Sequence, residues 1–158
     1  MDVVNLDQIK AALDVPVAMK LIEEGFVALA TGAATVPPVG YLGFKNPPGD
    51  CHIKYGYIHG DDIFVLKLAT GFFENPSRGL PTPNGLMLVL SAETGAPLAL
   101  LNDSGYLTEV RTALAGAIAA RYLAPEIVQC IGIVGAGYQA EMQLDYLRYA
   151  TDCRKAMV

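Results

Sequence analysis

The spacing of hydrophobic positions predicts two long helices in this chain. Apolar side chains recur at helical intervals after Asp14, which can cap a helix, and Pro16 falls in the first turn, where its missing N–H is harmless. Gly32 follows as a C-terminal stop. A second helix is predicted over 106–123, because one of its faces stays apolar while alanines keep it narrow, and Pro125 ends it.

Between these helices, short apolar runs bounded by turn residues predict an antiparallel sheet. The predicted strands are 51–58, 63–70, 86–92 and 97–102. Connections 59–62 and 93–96 have hairpin length, whereas 72–85 is longer and dense in Pro, Gly and Asn. A loop of that kind either shapes a binding cleft or is a plain surface excursion. The proline- and glycine-rich passage 36–50 is predicted only to lead into the sheet.

A glycine pattern near the C-terminus predicts a nucleotide-binding turn. An apolar strand from Ile127 leads into 135–140, which reads Gly-Ala-Gly-Tyr-Gln-Ala, and a helix is predicted over 138–150. In a Rossmann βαβ unit the first Gly makes the tight turn, the second lets the backbone approach a pyrophosphate, and the small third residue allows helix–strand packing. The pattern alone also fits a structural turn without ligand. The order strand, turn, helix and a new apolar stretch from Arg154 favours the dinucleotide site.

Composition and charge exclude several classes of protein. The 158 residues are 53% hydrophobic and 17% charged, which is typical of a folded chain, and the net charge of −5 provides no basic surface for nucleic acid or anionic membranes. Three widely spaced cysteines and two histidines form neither a disulfide framework nor a metal-binding set. Asp2 and Asp7 stand where a signal peptide would be basic, and no apolar run reaches about 18 residues. A soluble, cytoplasmic protein without hydrolytic chemistry is therefore expected.

Three motifs, in this order and spacing, resemble the ornithine cyclodeaminase and μ-crystallin family. They are Thr94-Gly95-Ala96-Pro97-Leu98-Ala99, Leu107-Thr108-Glu109-Val110-Arg111-Thr112-Ala113 and Gly135-Ala136-Gly137-Tyr138-Gln139-Ala140. The resemblance covers roughly residues 6–158. It implies an α+β N-terminal domain at 1–125, whose antiparallel sheet serves substrate binding and homodimer formation, followed at 126–158 by the first βα unit of a Rossmann α/β domain. Relative to that family, the chain is expected to be truncated at its C-terminus.

The resemblance implies hydride transfer at an amino-acid α-carbon, with NAD or NADP as the cofactor. Family members include cyclodeaminases that convert ornithine to proline and ammonia, and dehydrogenases or imine reductases that act on related amino acids. A non-catalytic protein that binds NADPH and a small ligand, as μ-crystallin-like members do, and a bare dimerisation domain are the alternatives. The acidic residue that distinguishes NAD from NADP is expected at or beyond Val158, and the catalytic aspartate beyond it. The catalytic residue is therefore unassigned, and the 158-residue chain alone is expected to bind dinucleotide with about millimolar affinity at best, without turnover.

Three side chains are candidates for substrate binding. Lys67 falls where the family places a lysine that faces the substrate, although a lysine on an apolar strand can also simply face solvent. Many relatives carry an arginine directly after the prolines of an early strand, and this chain has none after Pro37-Pro38. Strand alternation puts His52 and Lys54 on one face. We hypothesise that Lys54, helped by His52, supplies the missing positive charge, in which case the substrate differs from ornithine.

The resemblance also implies contacts with the cofactor. Arg111 matches an arginine that the family uses near the cofactor phosphates, and an arginine on the helix surface is the alternative. Asn84 aligns with a polar position that touches the cofactor, although an Asn-Gly pair is also a good turn. Asp103 and Glu109 are interpreted as a cap and a first-turn charge that favour the helix dipole. The glycine turn adds as cofactor-binding candidates Gly135, Gly137, Tyr138, Gln139 and Ala140.

Overall fold

The computed structural model describes all 158 residues, which form two compact units. Unit 1 comprises Met1–Asp14 and Glu24–Tyr106, and unit 2 comprises Val15–Glu23 and Leu107–Val158. The structure is of mixed α/β class, which confirms the predicted fold at that level. The domain layout of 1–125 followed by 126–158 stays a prediction.

Unit 1 is built on a seven-stranded sheet with the order β1-β7-β6-β5-β4-β2, in which β3 also pairs with β4. The strands are β1 (Asp2–Asn5), β2 (Ala34–Thr35), β3 (Gly40–Lys45), β4 (Pro48–Ile58), β5 (Ile63–Phe72), β6 (Pro83–Ser91) and β7 (Pro97–Asn102). Strands β4 to β7 form consecutive antiparallel pairs. The four predicted strands are therefore confirmed, each with ends within a few residues of those expected.

Several elements of unit 1 are not predicted by the sequence. Strand β1 pairs in parallel with β7, and β3 forms within the passage 36–50 with all six of its residues exposed. No alternation of buried and exposed positions therefore marks β3. Helix α1 (Leu6–Ala12) begins with a capping box, since Asn5 Oδ1 accepts from Gln8 N at 3.0 Å and Gln8 Oε1 accepts from Asn5 N at 2.9 Å. In the long loop, a short 3-10 helix occupies Asn75–Arg78.

Helix α2 (Val15–Ala30) begins and ends as predicted. Gly32, with φ at +77°, lets the chain turn out of the helix in the left-handed conformation that side chains resist. Its N–H donates to Leu29 O at 3.3 Å, and Ala33 N donates to Ala28 O at 2.7 Å. This pair of bonds is the Schellman closure, which satisfies carbonyls that the helix end would leave without partners.

The turn from β7 into helix α3 (Tyr106–Leu123) packs tightly on the sheet of unit 1. Ser104 and Gly105 both have positive φ, and Tyr106 N donates to Asp103 O at 3.0 Å. Asp103 is 1% exposed, and its Oδ1 accepts from Gly105 N at 3.1 Å. A Cβ added at Gly85 of β6 would lie 2.5 Å from Leu68 O and 3.5 Å from Gly105 Cα. The absence of a side chain at position 85 is therefore what allows this close approach.

The core of unit 2 is formed by buried side chains of α3 and of the segments that pack against it. The buried residues of α3 are Val110, Ala113, Leu114, Ala117 and Ile118, and those of helix α4 (Tyr138–Leu147) are Met142 and Tyr146. From the 15–23 segment, Met19 is 2% exposed. The Tyr122 hydroxyl donates to Glu23, and this hydrogen bond, with the negative charge of the carboxylate, raises the pKa of Tyr122 above its ordinary value. Side-chain contacts thus join α3 to the part of α2 that belongs to unit 2.

Two short parallel strands flank α4. Strands β8 (Ile131–Gly132) and β9 (Ala156–Met157) pair with Ile131 opposite Ala156 and Gly132 opposite Met157. The strand predicted from Ile127 is present but begins at Ile131, because only Ile131 and Gly132 pair with β9. Helix α4 also ends at Leu147 rather than at 150, and a turn closed by Tyr149 N donating to Tyr146 O at 3.1 Å follows. No helix in the structure combines the length and the apolar character needed to cross a membrane.

Candidate functional site

The glycine turn between β8 and α4 has an open backbone. Gly135 has φ at +104°, and Gly137 is the extended N-cap residue of α4, with no side chain capping the helix. A Cβ at either glycine would meet no atom within 4 Å, and both residues are exposed. Ile131 N donates to Lys155 O at 2.9 Å and Ile133 N donates to Met157 O at 2.8 Å, so the strand entering the turn is anchored. A pyrophosphate fits such a cradle, because nothing blocks its approach to the backbone and the helix start favours an anion.

The first turn of α4 is formed by bonds to Gly137. Ala140 N and Glu141 N donate to Gly137 O at 2.9 and 3.2 Å. The amide groups of Tyr138 and Gln139 precede these bonds and lie at the positive end of the helix dipole. The predicted cofactor residues of this segment are thus contiguous in space, and their contact with a cofactor stays a prediction.

The side chain of Gln139 binds α3. Its Nε2 donates to Glu109 O at 3.1 Å and to the Glu109 carboxylate. One turn later, Gln143 Nε2 donates to Thr112 O at 3.2 Å and lies 3.4 Å from Gln139 Oε1. A Cβ at Gly116 would lie 2.0 Å from Gln143 Oε1, so Gly116 makes room for this glutamine. Glu109 was expected to act only as a first-turn charge, and this network was not predicted. Its signal in the sequence is a pair of glutamines, Gln139 and Gln143, spaced four residues apart.

Of the two remaining cofactor candidates, one lies in each unit. Arg111 is exposed on α3 of unit 2. In unit 1, Asn84 is exposed on β6, and its Oδ1 accepts from Gly85 N at 2.8 Å. The Asn84 carbonyl accepts from Thr70 Oγ1 at 3.5 Å. Asn84 thus lies within a strand, not in the turn that was its alternative interpretation, and the cofactor roles of Arg111 and Asn84 stay predictions.

The substrate candidates come together on one face of the sheet. Lys54 of β4 is directly opposite Lys67 of β5, and His52 lies on the same face two residues before Lys54. The His52 ring meets the ring of Tyr41 edge-on, with 5.3 Å between centroids, and His52 Nε2 lies 3.7 Å from Asp50 Oδ2. Lys67 is in turn opposite Met87 of β6. The three predicted residues therefore form one cluster, which we call the lysine face: His52, Lys54 and Lys67.

The charges of the lysine face favour an anion. Two ammonium groups directly opposite each other in an antiparallel pair repel, and the repulsion falls when a negative group binds between them. Both lysines are partly exposed, so a ligand can reach them. Asp50 is the carboxylate on the same face of β4, and it lies beside His52. Three clefts, of about 500 Å³ in unit 1 and about 250 and 490 Å³ in unit 2, are lined by other residues.

Known proteins with similar sequences are longer than this chain. The sequence profile of the Ornithine cyclodeaminase/mu-crystallin family matches residues 2–157. A putative dehydrogenase of Rhizobium meliloti (strain 1021) is 45% identical over 141 residues, which cover 89% of this chain and 43% of the relative. The chain thus spans less than half the length of such a relative.

Solved structures of similar proteins share the fold. An archaeal alanine dehydrogenase dimer with bound NAD superposes with a TM-score of 0.90 at 35% identity, covering 99% of this chain and 47% of that one. The Thermococcus litoralis Δ1-pyrroline-2-carboxylate reductase, in complex with NADH and L-proline, gives a TM-score of 0.92 at 28% identity, covering 99% and 48%. Sequence profile and structures agree, and the chain belongs to the ornithine cyclodeaminase/mu-crystallin family.

Proposed function

We propose that the protein binds NAD(H) or NADP(H) at the glycine turn and acts on a small amino or imino acid. The observation that carries this proposal is the turn itself, in which a left-handed Gly135 and an exposed Gly137 join a parallel strand to the start of α4. The two solved relatives that contain NAD and NADH support the same cofactor here. The reaction is that of an oxidoreductase or a cyclodeaminase, and the dehydrogenase and reductase names of the relatives favour catalysis over simple ligand binding.

The chemistry divides between the cofactor and the chain. When bound, the cofactor would supply hydride transfer at its nicotinamide. The amide groups at the start of α4 would hold the pyrophosphate. The lysine face holds the substrate carboxylate, with Lys54 and Lys67 approaching it from neighbouring strands. Fixing the carboxylate fixes the position of the adjacent α-carbon. This orientation of the substrate is what Lys54 and Lys67 contribute to catalysis.

Replacing Gly135 by alanine is expected to weaken NADH binding about tenfold, because a side chain disfavours φ at +104° and the turn would have to change shape. Gly132→Ala is the matched control, since Gly132 lies just before the turn, has no positive φ and would place its Cβ in open space. Fluorescence titration of the full-length protein with NADH measures both affinities. Equal affinities in the two variants, or no NADH binding by the unmodified protein, would contradict the cofactor site.

Turnover is tested separately from binding. The full-length protein is expected to oxidise NADH or NADPH with a cyclic or open-chain imino acid, or to reduce the oxidised cofactor with the matching amino acid. The absorbance of the reduced nicotinamide follows both directions, and the release of ammonia follows a cyclodeaminase reaction, in which the cofactor returns to its starting state. Binding of NADH without turnover on any amino or imino acid would instead support the non-catalytic alternative.

We also propose that the protein forms a homodimer through the sheet face opposite the lysine face. Leu42, Ile53 and Tyr55 are 57%, 36% and 45% exposed on that opposite face, which is apolar along β3, β4 and β5. Contiguous exposed apolar surface of this kind is typical of an interface. The solved alanine dehydrogenase is a dimer, which supports the same assembly here.

Ile53→Arg is expected to shift the full-length protein from dimer to monomer, because a guanidinium on the apolar face would be buried without a partner. Tyr41→Arg is the matched control. Tyr41 lies on β3, on the same side of the sheet as the lysine face, and is 68% exposed. Light scattering during size-exclusion chromatography measures the mass of each. A monomeric unmodified protein at micromolar concentration, or a dimeric Ile53→Arg variant, would count against this interface.

A further inference from the structure

We propose that Gln139 is a positioning residue, whose side-chain amide ties the first turn of α4 to α3 and so holds the glycine turn ready for the cofactor. This inference rests on the proposed cofactor function of the turn. Gln139 is the second residue of α4 and follows Gly137 by two positions. Its Nε2 donates to both the carbonyl and the carboxylate of Glu109.

The two glycines of the turn are not packed against other parts of the chain. Around Gly135 and Gly137 no atom lies within 4 Å of where a Cβ would be. On the strand side, the bonds from Ile131 N to Lys155 O and from Ile133 N to Met157 O fix the entrance. The bond pair between Gln139 and Glu109 is the matching anchor on the exit side. Anchoring both sides restricts the turn before a ligand binds. Less conformational entropy is then lost on binding, so the affinity is higher.

The orientation of the Gln139 amide is specified by Glu109. Both acceptors of Glu109, its carbonyl and its carboxylate, require the amide nitrogen of Gln139. Because the side-chain amide is engaged with α3, Gln139 acts on a cofactor through its backbone and through the position of the turn. Its side chain therefore has a different role from the direct contact that the motif suggests.

Gln139→Met keeps the length of the side chain and removes the amide. We expect the affinity of the full-length protein for NADH to fall about tenfold, since a hydrogen bond to a carboxylate is lost. Gln143→Met is the matched control. Gln143 also lies on α4, one turn further from the glycines, and it donates to a main-chain oxygen of α3, that of Thr112. We expect the two variants to lose similar thermal stability, while Gln143→Met keeps its NADH affinity within about threefold.

A charge exchange gives a second readout that a purely structural role would not move. Gln139→Glu places two carboxylates together, so NADH affinity should fall as pH rises from about 4.5 to 7.5, where both become ionised. Adding Glu109→Gln restores a donor–acceptor pair in reversed order, and the double variant should regain at least half of the lost binding energy at pH 7.5. If repulsion between the new carboxylate of Gln139→Glu and the cofactor phosphates caused the loss instead, the double variant would still bind NADH weakly.

The outcomes separate this inference from the proposed function. Unmodified protein that does not bind NADH overturns the cofactor site itself. Unmodified protein that binds NADH, with Gln139→Met binding as tightly as Gln143→Met, overturns only the positioning role of Gln139. Selective loss in Gln139→Met, together with rescue of Gln139→Glu by Glu109→Gln, supports it.

Discussion

Replacing Gly85 by alanine is expected to lower the free energy of unfolding by about 3 kcal/mol or more. The new Cβ would lie 2.5 Å from Leu68 O, a main-chain atom of the neighbouring strand that cannot rotate away. It would also lie 3.5 Å from Gly105 Cα, in the turn that leads into α3. Because the contact is with main chain on both sides, relief requires β5, β6 and the turn to separate. Urea unfolding followed by circular dichroism measures the loss.

Gly25→Ala provides the matched control for this experiment. Gly25 lies inside α2, and a Cβ there would meet no atom within 4 Å. The same chemical change should therefore stabilise the protein by about 0.5–1 kcal/mol through helix propensity. A Gly85→Ala variant that unfolds within about 0.5 kcal/mol of the unmodified protein would show that the strands and the turn can move apart at little cost.

The parts of the fold that the sequence predicts are those whose pattern is local. Strands β4 to β7 carry apolar runs bounded by turn residues, and Gly32 and Pro125 mark the ends of α2 and α3. In contrast, β1 joins the sheet by pairing with β7, which is distant along the chain. Local spacing contains no signal for such a partner. Strand β3 is exposed along its whole length, so its sequence lacks the alternation that reveals a half-buried strand.

The candidate site shows the same division. The glycine pattern and the shared face of His52 and Lys54 follow from motif and strand period alone. The pairing of Lys54 with Lys67 could also have been predicted. A hairpin connection at 59–62 places residues 58 and 63 opposite each other, and Lys54 and Lys67 each lie four residues further from the turn. The contact of Gln139 with Glu109 could not, since it depends on how α4 docks on α3. The sequence indicates only that α3 is narrow there, through Gly116 and its alanines.

Lys54→Met is expected to raise the KM of the full-length protein for its amino or imino acid about 30-fold or more, with NADH affinity unchanged. Lys54 and Lys67 are partners in the β4–β5 pair, and removing one ammonium leaves the substrate carboxylate with half of its charge complement. A charge-assisted hydrogen bond is stronger than a neutral one, which sets the size of the effect. Initial rates over a range of substrate concentration, at saturating cofactor, measure KM.

Two comparisons show whether the loss belongs to the carboxylate. Lys45→Met removes the same charge from the end of β3, where its partner Pro48 is six positions along β4 from Lys54, or about 20 Å, and it should leave KM unchanged. A substrate analogue with an amide in place of the carboxylate should bind the unmodified protein and Lys54→Met equally poorly, because the ammonium then has no charge to meet. Lys54→Arg should recover most of the affinity for the acid, since the positive charge is kept. If Lys54→Met leaves KM for the acid unchanged while Lys67→Met raises it, Lys67 alone binds the carboxylate and Lys54 only faces solvent.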